Sequence, residues 1–233
     1  MSVNTLHLNQ LSELFQISRN EENAIQMSKY MKGNFPFFGI KSPLRKKIMQ
    51  EWWDGKSIRN EDELQFLILS LWKLDEREYQ YAAVDIGKRF NKLFTPKSIP
   101  FIKRCVTIKS WWDTVDAIAI HFCGTIIYQY PILAKEIDKW IDDENMWIRR
   151  TAILHQLNFK EKTNKERLFR YCKKRMHESE FFIQKAIGWG LRQYSYVDGD
   201  SVLQFVKTNN NKLSTLSKKE ALKAIKRREK KER

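Results

Sequence analysis

The stretch SPLRKKIMQEWWDG, residues 42–55, decides the fold class. It begins with a serine suited to cap a helix, has a proline at the first helical position, and ends before Gly55. Leu44, Ile48 and Trp52 recur every four residues, so they fall on one face of a helix. The stretch therefore predicts an amphipathic α-helix with clear signals at both ends.

The same kind of pattern continues along the chain. Asn60 followed by Glu63 predicts the start of a second helix, and Asp75 predicts the cap of a third. No window alternates apolar and polar residues long enough to indicate a strand. With only 8 glycines and 5 prolines, the chain has few signals for the many tight turns of an all-β protein. The sequence predicts an all-α fold.

Three tryptophan-bearing segments suggest a helical repeat. They centre on Trp111, Trp147 and Trp189, and a spacing of about 40 residues is typical of two-helix HEAT or armadillo-type repeats. The three segments share little residue-level similarity, so an irregular helical domain remains an alternative. A solenoid would offer a concave surface wide enough for an extended ligand such as a nucleic acid duplex.

Length and composition predict one folded domain over residues 1–233. The chain is 42% hydrophobic and 13% aromatic, which is enough for a packed core. It shows neither a signal-peptide pattern nor 18 consecutive uncharged apolar residues, so we expect a soluble cytoplasmic protein without membrane association. Cys105, Cys123 and Cys172 are too far apart for a metal or disulfide motif and are predicted to be reduced core residues.

The charge is strongly positive. The chain has 43 Lys and Arg against 28 Asp and Glu, a net charge of +15 and a pI of about 9.7. A basic tail is predicted from about residue 218, and the body that precedes it is basic as well. Counterion release favours phosphate binding by such a protein, so we expect a nucleic acid partner. The tail alone is weaker evidence because terminal charge runs are usually solvated.

Common cofactor motifs are missing from the sequence. It has no phosphate-binding loop, no dinucleotide-binding glycine motif and no zinc protease motif. The four histidines occur singly, which favours packed or surface positions over metal ligation: His7, His121, His155 and His177. We therefore predict no cofactor and no metal.

The stretch KSWWDTVD, residues 109–116, combines aromatic and acidic residues on one predicted helix. Trp112 and Asp116 are four residues apart and share a face, while Trp111 lies on a neighbouring one. One tryptophan can then belong to the core while the other faces a cleft. The alternative is that both tryptophans are packed and the acids are solvated.

The stretch KAIGWGLR, residues 185–192, places Lys185 and Arg192 on the side of a helix that carries Trp189. Gly188 and Gly190 flank the tryptophan, although glycine costs about 1 kcal/mol relative to alanine inside a helix. Their presence predicts close approach by another part of the chain or by a ligand.

At these residues the sequence resembles the AlkD-type DNA alkylation-repair proteins, which are DNA glycosylases built from HEAT-like helical repeats. The resemblance runs from about Met27 to Ile225. It is carried by MSKYMKGNFPFFGIKSPLRKK, VTIKSWWDTVD, WIDDENMWIRRTAILHQL, ESEFFIQKAIGWGLRQY and LSKKEALKAI. The resemblance implies a solenoid with a concave basic cleft. It also implies hydrolysis of the N-glycosidic bond of N3- or N7-alkylated purines in duplex DNA, without base flipping.

The resemblance also assigns site residues. The family's functional acid and aromatic positions correspond to Asp116, Trp112 and Trp189, its cleft arginine to Arg150, and a DNA-contacting tyrosine to Tyr30. Basic side chains in the same stretches are predicted as further DNA contacts: Lys41, Arg45, Lys109, Arg149, Lys185 and Arg192.

Two functions follow as hypotheses. The first is a monomeric, monofunctional alkylpurine DNA glycosylase acting on double-stranded DNA. The second is a non-catalytic helical scaffold that binds nucleic acid or an acidic protein by charge, a common use of repeat folds. Asp116 favours the first, because an acid in a basic groove would repel phosphate and serve a pure phosphate binder poorly.

Overall fold

The computed structural model describes residues 3–230. All regular elements in this range are helices and none is a strand, which confirms the all-α prediction. The chain divides into two compact units, Met1–Thr95 and Pro96–Arg233. The single domain over residues 1–233 stays a prediction.

Within its described residues, 3–95, the first unit has five α-helices: α1 (Val3–Ile17), α2 (Glu21–Tyr30), α3 (Ser42–Trp53), α4 (Glu61–Lys73) and α5 (Arg77–Arg89). The predicted cap of α4 is confirmed, because the Asn60 side chain accepts a hydrogen bond from the Glu63 N–H at 2.9 Å. The predicted cap of α5 is wrong, because Glu76 rather than Asp75 holds that position. The Arg77 N–H bonds the Pro36 carbonyl at 2.9 Å, a contact between distant residues that local sequence does not encode.

A buried glutamate orders the segment between α2 and α3. The Glu78 carboxylate accepts backbone hydrogen bonds from Phe38, Gly39 and Ile40 at 2.9–3.1 Å. Gly39 has φ +86°, and a Cβ there would lie 2.0 Å from the Asn20 carbonyl oxygen. Glycine is therefore required for this segment to pack on the start of α2 and lead into α3.

As far as residue 230, where the described part of the chain ends, the second unit has ten α-helices: α6 (Ile99–Thr107), α7 (Trp112–Ile118), α8 (Gly124–Gln129), α9 (Ala134–Trp140), α10 (Met146–Leu154), α11 (Lys165–Arg175), α12 (Phe181–Tyr194), α13 (Gly199–Thr208), α14 (Thr215–Ala221) and α15 (Lys223–Glu229). Within this unit α7 packs on α10, α10 on α12, and α12 on α14, so these four helices form one row. Helices α9, α11 and α13 each pack against members of that row. This arrangement confirms an all-α helical-repeat fold, while the HEAT or armadillo type of repeat stays a prediction. Trp111 lies directly before α7, Trp147 lies on α10 and Trp189 lies on α12.

A single π-helical turn, Ala119–Cys123, joins α7 to α8. Short 3₁₀ turns complete the connections elsewhere: Asn91–Leu93, Pro96–Ser98, Pro131–Leu133 and Lys160–Lys162. Turns of the π type often interrupt helices near functional residues, and this one directly follows the helix that carries Asp116.

The three cysteines are free and buried, as predicted. Burial raises the pKa of the Cys105 thiol to about 12, so this thiol is protonated at neutral pH. No single helix in residues 3–230 is long and apolar enough to span a membrane. The neighbouring segments Trp112–Gln129 and Pro131–Trp140 reach that length and composition only when they are counted as one bent pair.

The basic segment from residue 218 is helical as far as the structure describes it. Glu220, Ala221, Ala224 and Ile225 are buried, while Lys226, Arg227 and Arg228 are exposed. The first half of the predicted tail is thus part of the packed second unit. Residues 231–233 of the tail lie outside the described residues.

Candidate functional site

The site begins at the turn before α7. Lys109 has φ +50°, a left-handed conformation that is uncommon for a residue with a side chain. The extended backbone of Trp111 then caps α7. The Trp111 ring packs against Trp147 and Phe182, with ring centroids 5.7 and 5.1 Å away. Trp112 opens α7 and is half-buried on the face that it shares with Asp116.

Asp116 and Arg150 form a buried ion pair between α7 and α10. Arg150 Nε donates to Asp116 Oδ1 at 2.6 Å, and Nη2 donates to Oδ2 at 2.7 Å. The exposed fraction is only 9% for Asp116 and 4% for Arg150. Arg150 Nη1 also donates to the Phe182 carbonyl of α12. One guanidinium thereby connects three successive helices of the row.

Two features of the surroundings of Asp116, its burial and its contact with Arg150, shift the pKa of its carboxyl in opposite directions. Burial raises the pKa of its carboxyl above the ordinary value, and the nearby Asp113 charge adds to that rise. The hydrogen bonds and positive charge of Arg150 lower it. The net shift is upward, so Arg150 limits the rise and favours the ionised form of a carboxylate largely removed from water.

Arg149 has different partners from its neighbour Arg150. Its Nη2 donates to Glu178 at 2.8 Å, and its Nη1 donates to the carbonyls of Asp143 and Glu144 at 2.8 Å each. The Arg149 side chain is only 13% exposed. Its positive charge is therefore largely committed to holding the connection before α10.

Trp189 is half-buried on α12, between Lys185 and Arg192 on the same side of the helix. Lys185 Nζ donates to Glu220 of α14 at 3.0 Å, and Arg192 Nη1 donates to the other carboxylate oxygen at 2.6 Å. Lys185 and Arg192 were predicted from the sequence, whereas their shared partner was not.

The two glycines beside Trp189 are explained by packing. A Cβ on Gly188 would lie 2.5 Å from the Cβ of Glu220, because α14 passes directly over this point of α12. A Cβ on Gly190 would lie 3.2 Å from the Leu168 side chain. The predicted close approach of another backbone is confirmed at Gly188, where the Ser217 carbonyl oxygen would lie 3.0 Å from the added Cβ. At Gly190 the close neighbour is a side chain instead.

The remaining predicted DNA contacts lie in the first unit. Tyr30 ends α2 with 69% of its surface exposed, and Lys41 is an exposed residue that caps α3. The Arg45 guanidinium lies 4.8 Å from the centre of the Tyr81 ring and pairs with Asp85 at 3.3 Å. Arg45 is therefore held by neighbours, while Lys41 extends to solvent.

Sequence reasoning missed three residues that organise the site. Phe182 has an apolar side chain, and nothing in its local sequence indicates that its carbonyl accepts a hydrogen bond from Arg150. Glu178 and Glu220 were not identified. Each has a basic neighbour three residues away, but the pairs that reach another helix join residues 29 and 35 positions apart. No local spacing rule reports an ion pair at such a separation.

No metal centre is evident in the described part of the chain, where no group of three or more His, Cys, Asp or Glu side chains could hold an ion. His155 is buried, and its Nδ1 lies 2.7 Å from the Ala152 carbonyl oxygen. Burial lowers the pKa of His155 to about 4, so the ring is neutral at pH 7. His155 is a packed residue, which is one of the two positions that the sequence predicted for the four histidines.

Comparison with known proteins assigns the class. The model of a family described as "DNA alkylation repair enzyme" matches residues 11–225. A solved structure described as "Predicted DNA alkylation repair enzyme from Enterococcus faecalis" has 35% sequence identity and a TM-score of 0.81, covering 88% of this chain and 95% of that one. No curated protein matches the sequence. The chain belongs to the DNA alkylation repair enzyme family, which confirms the resemblance drawn from its motifs.

Proposed function

We propose that this protein is a monofunctional DNA glycosylase that removes N3- or N7-alkylated purines from duplex DNA, including 3-methyladenine, 7-methylguanine and bulkier adducts. Family membership supports a role in the repair of alkylated DNA. The observation that carries the proposal is the buried Asp116 carboxylate, oriented by two hydrogen bonds from Arg150. It lies on the row of helices that also bears Trp112 and Trp189.

Hydrolysis of this N-glycosidic bond requires a carboxylate near the sugar rather than a strong acid to protonate the base. An N3- or N7-alkylated purine carries a positive charge and leaves with the electron pair of the N-glycosidic bond, so it needs little protonation. Positive charge then develops on the deoxyribose, as in other glycoside hydrolyses. A fixed carboxylate stabilises this charge and can orient the water that adds to the sugar carbon. We assign this role to Asp116.

Trp112 and Trp189 are proposed to contact the sugar as it becomes cationic. A cation over an indole face gains about 0.5–2 kcal/mol, more when water is excluded. Both side chains are half-buried, so each retains an accessible part. This preference for positive charge favours alkylated nucleotides over normal ones. It also suits recognition through sugar and backbone, with the base left in the duplex.

Arg150 is proposed to act first through Asp116. Its two parallel hydrogen bonds fix both carboxylate oxygens, a geometry that lysine cannot provide. We also propose that Arg150 contacts a DNA phosphate, which requires the guanidinium to exchange or share one of its present partners. Backbone contacts are proposed also for the other basic and aromatic residues identified from the sequence: Tyr30, Lys41, Arg45, Lys109, Arg149, Lys185 and Arg192.

The test is release of free base from methylated duplex DNA. Purified protein, without added metal or cofactor, is incubated with the DNA, and free 3-methyladenine and 7-methylguanine are quantified by chromatography. We expect both bases to appear in proportion to the abasic sites formed. Salt-dependent DNA binding without base release would reject the glycosylase and favour the non-catalytic scaffold.

A further inference from the structure

Three cationic side chains converge on one carboxylate at the end of the helix row. Glu220 Oε1 accepts from Lys185 at 3.0 Å and from Lys223 at 2.8 Å, while Oε2 accepts from Arg192 at 2.6 Å. These four residues are called the Glu220 cluster. Three positive charges around one negative charge leave the cluster with a net charge of +2.

Tight packing of α14 on α12 assembles the Glu220 cluster. Gly188 allows the two helices to touch, and Ser217 donates a hydrogen bond to the Gln184 carbonyl at 2.8 Å. This contact brings Lys223, the first residue of α15, beside Lys185 of α12. The alignment of the two lysines is thus built into the fold.

The carboxylate of the cluster is shielded while the cations reach solvent. The Glu220 side chain is 7% exposed, against 38% for Lys185, 27% for Arg192 and 41% for Lys223. Burial opposes ionisation of Glu220, but hydrogen bonds from Lys223 and Lys185 lower its pKa to about 2. An ammonium has three N–H donors and a guanidinium has five, so contact with Glu220 leaves further donors for an anion.

We propose that Lys185, Arg192 and Lys223 form a binding site for a DNA backbone phosphate, assembled around Glu220. The inference rests on the proposed function, because that function supplies DNA as the ligand. It adds Lys223 and the C-terminal segment to the binding surface. Lys185 and Arg192 flank Trp189, so we expect the bound phosphate to lie close to the sugar that Trp189 contacts. The three cations therefore hold the DNA backbone and take no part in breaking the N-glycosidic bond.

The first test measures how DNA binding depends on salt. Binding to an unmodified duplex is followed by fluorescence anisotropy at several KCl concentrations for wild type, Lys223→Gln, Lys223→Arg and Lys218→Gln. Each phosphate contact contributes about 0.9 to the slope of log Kd against log salt. We expect Lys223→Gln to reduce the slope by up to about 0.9, because Lys185 and Arg192 still contact the phosphate, and Lys223→Arg to keep the wild-type slope.

Lys218→Gln is the matched control. Lys218 lies on α14 but bonds Asn210 instead of Glu220, and its replacement removes the same charge. We expect its slope to equal that of wild type. A wild-type slope for Lys223→Gln, or an equal loss for Lys218→Gln, would overturn the proposed site.

The second test separates this site from the catalytic proposal. With methylated duplex, Lys223→Gln should raise the half-saturating DNA concentration about 3- to 10-fold and leave the release rate at saturation unchanged, because the contact is equally strong in the ground and transition states. A fall in the saturated rate with unchanged half-saturation would contradict the assignment. If wild type bound DNA with the expected slopes but released no base, the glycosylase would be rejected and the phosphate site retained.

Discussion

At the scale of single residues, Asp116 depends on one arginine for both its position and its charge. Arg150→Gln removes the positive charge that opposes the burial-induced rise in the pKa of Asp116. We expect this pKa to rise further. Base release needs the ionised carboxylate and is lost as the pH falls through the pKa, so the acid limb of the pH–rate profile should move to higher pH.

The matched control for this prediction is Arg149→Gln. It removes the same charge one residue away, from a side chain bound to Glu178. Saturated release rates would be measured from pH 4 to pH 8, at temperatures where both variants are folded. Breaking a buried pair costs about 3–5 kcal/mol, so a melting curve accompanies each profile. Identical profiles for the two variants would contradict the proposed role of Arg150.

His155 gives a prediction about stability and pH. Its pKa is about 4 in the folded chain, against about 6.5 when unfolded. Between these two pKa values the imidazole is protonated in the unfolded chain but not in the folded chain. The free energy of unfolding therefore falls as the pH drops from about 6.5 towards 4. The loss approaches about 3 kcal/mol.

Urea unfolding of wild type and His155→Phe at several pH values checks this effect. The variant cannot titrate at this position and should lack the decline between pH 6.5 and pH 4. His177→Gln, which changes an exposed histidine, should keep it. Parallel curves for wild type and His155→Phe would assign the acid sensitivity to other groups.

Local spacing could predict part of the site at this scale. It placed Trp112 and Asp116 on one face of a helix, as the structure shows for α7. It could not predict that the carboxylate would meet Arg150, which lies 34 residues further along the chain. Such a contact depends on how neighbouring repeats align, which is a tertiary property.

At the scale of elements, the docking of α14 on α12 depends on a single missing side chain. Gly188→Ala would place a methyl group 2.5 Å from the Glu220 Cβ and 3.0 Å from the Ser217 carbonyl oxygen. Alanine favours a helix by about 1 kcal/mol over glycine, but overpacking costs about 1–3 kcal/mol, and the Ser217 backbone and the Glu220 Cβ of α14 have little freedom to move away. We expect a net loss of stability.

Melting temperatures of Gly188→Ala and Gly199→Ala test this account. Gly199 begins α13, and a Cβ there would have its nearest contact at 3.9 Å, which is ordinary van der Waals distance. Gly199→Ala should be neutral or slightly stabilising. A melting temperature for Gly188→Ala at or above that of wild type would show that α14 can shift without cost.

Helices were easier to predict than their boundaries. The Asn60 cap of α4 follows from residues three apart, so the sequence contained the necessary information. The start of α5 depends instead on a hydrogen bond from the Arg77 N–H to the carbonyl of Pro36, a residue in the segment before α3. The backbone of Gly39 in that segment is held in turn by a hydrogen bond to the Glu78 carboxylate of α5. Each of these elements therefore fixes the other, beyond the reach of local patterns.

At the scale of the whole molecule, net charge indicated a nucleic acid partner but not which cations are available. Much of the positive charge on α11 is paired within the second unit. Asp138 accepts from Arg167 and Arg170, and Asp142 accepts from Lys174 and Arg175. These pairs connect α11 to α9 and to the turn that follows α9. Composition therefore predicts the class of partner, while the folded arrangement decides which basic residues can meet it.

The C-terminal segment gives a prediction about the stability of the whole chain. A chain ending at residue 226 keeps the buried Ser217, Glu220, Ala224 and Ile225, whereas one ending at residue 214 loses all four. We expect the first truncation to melt close to wild type and the second to melt at least about 10 °C lower, since several kcal/mol of packing are removed. Equal melting temperatures would show that α14 contributes little to the fold.

The most direct test of the central claim compares Asp116→Asn with Asp113→Asn. Both changes remove one carboxylate from α7, but only Asp116 is held by Arg150. Release of 7-methylguanine is measured in single turnovers at saturating DNA, with binding measured in parallel. The proposal predicts that Asp116→Asn loses at least about 100-fold in rate while binding DNA as well as wild type or better, and that Asp113→Asn loses little. A wild-type release rate for Asp116→Asn would contradict the account.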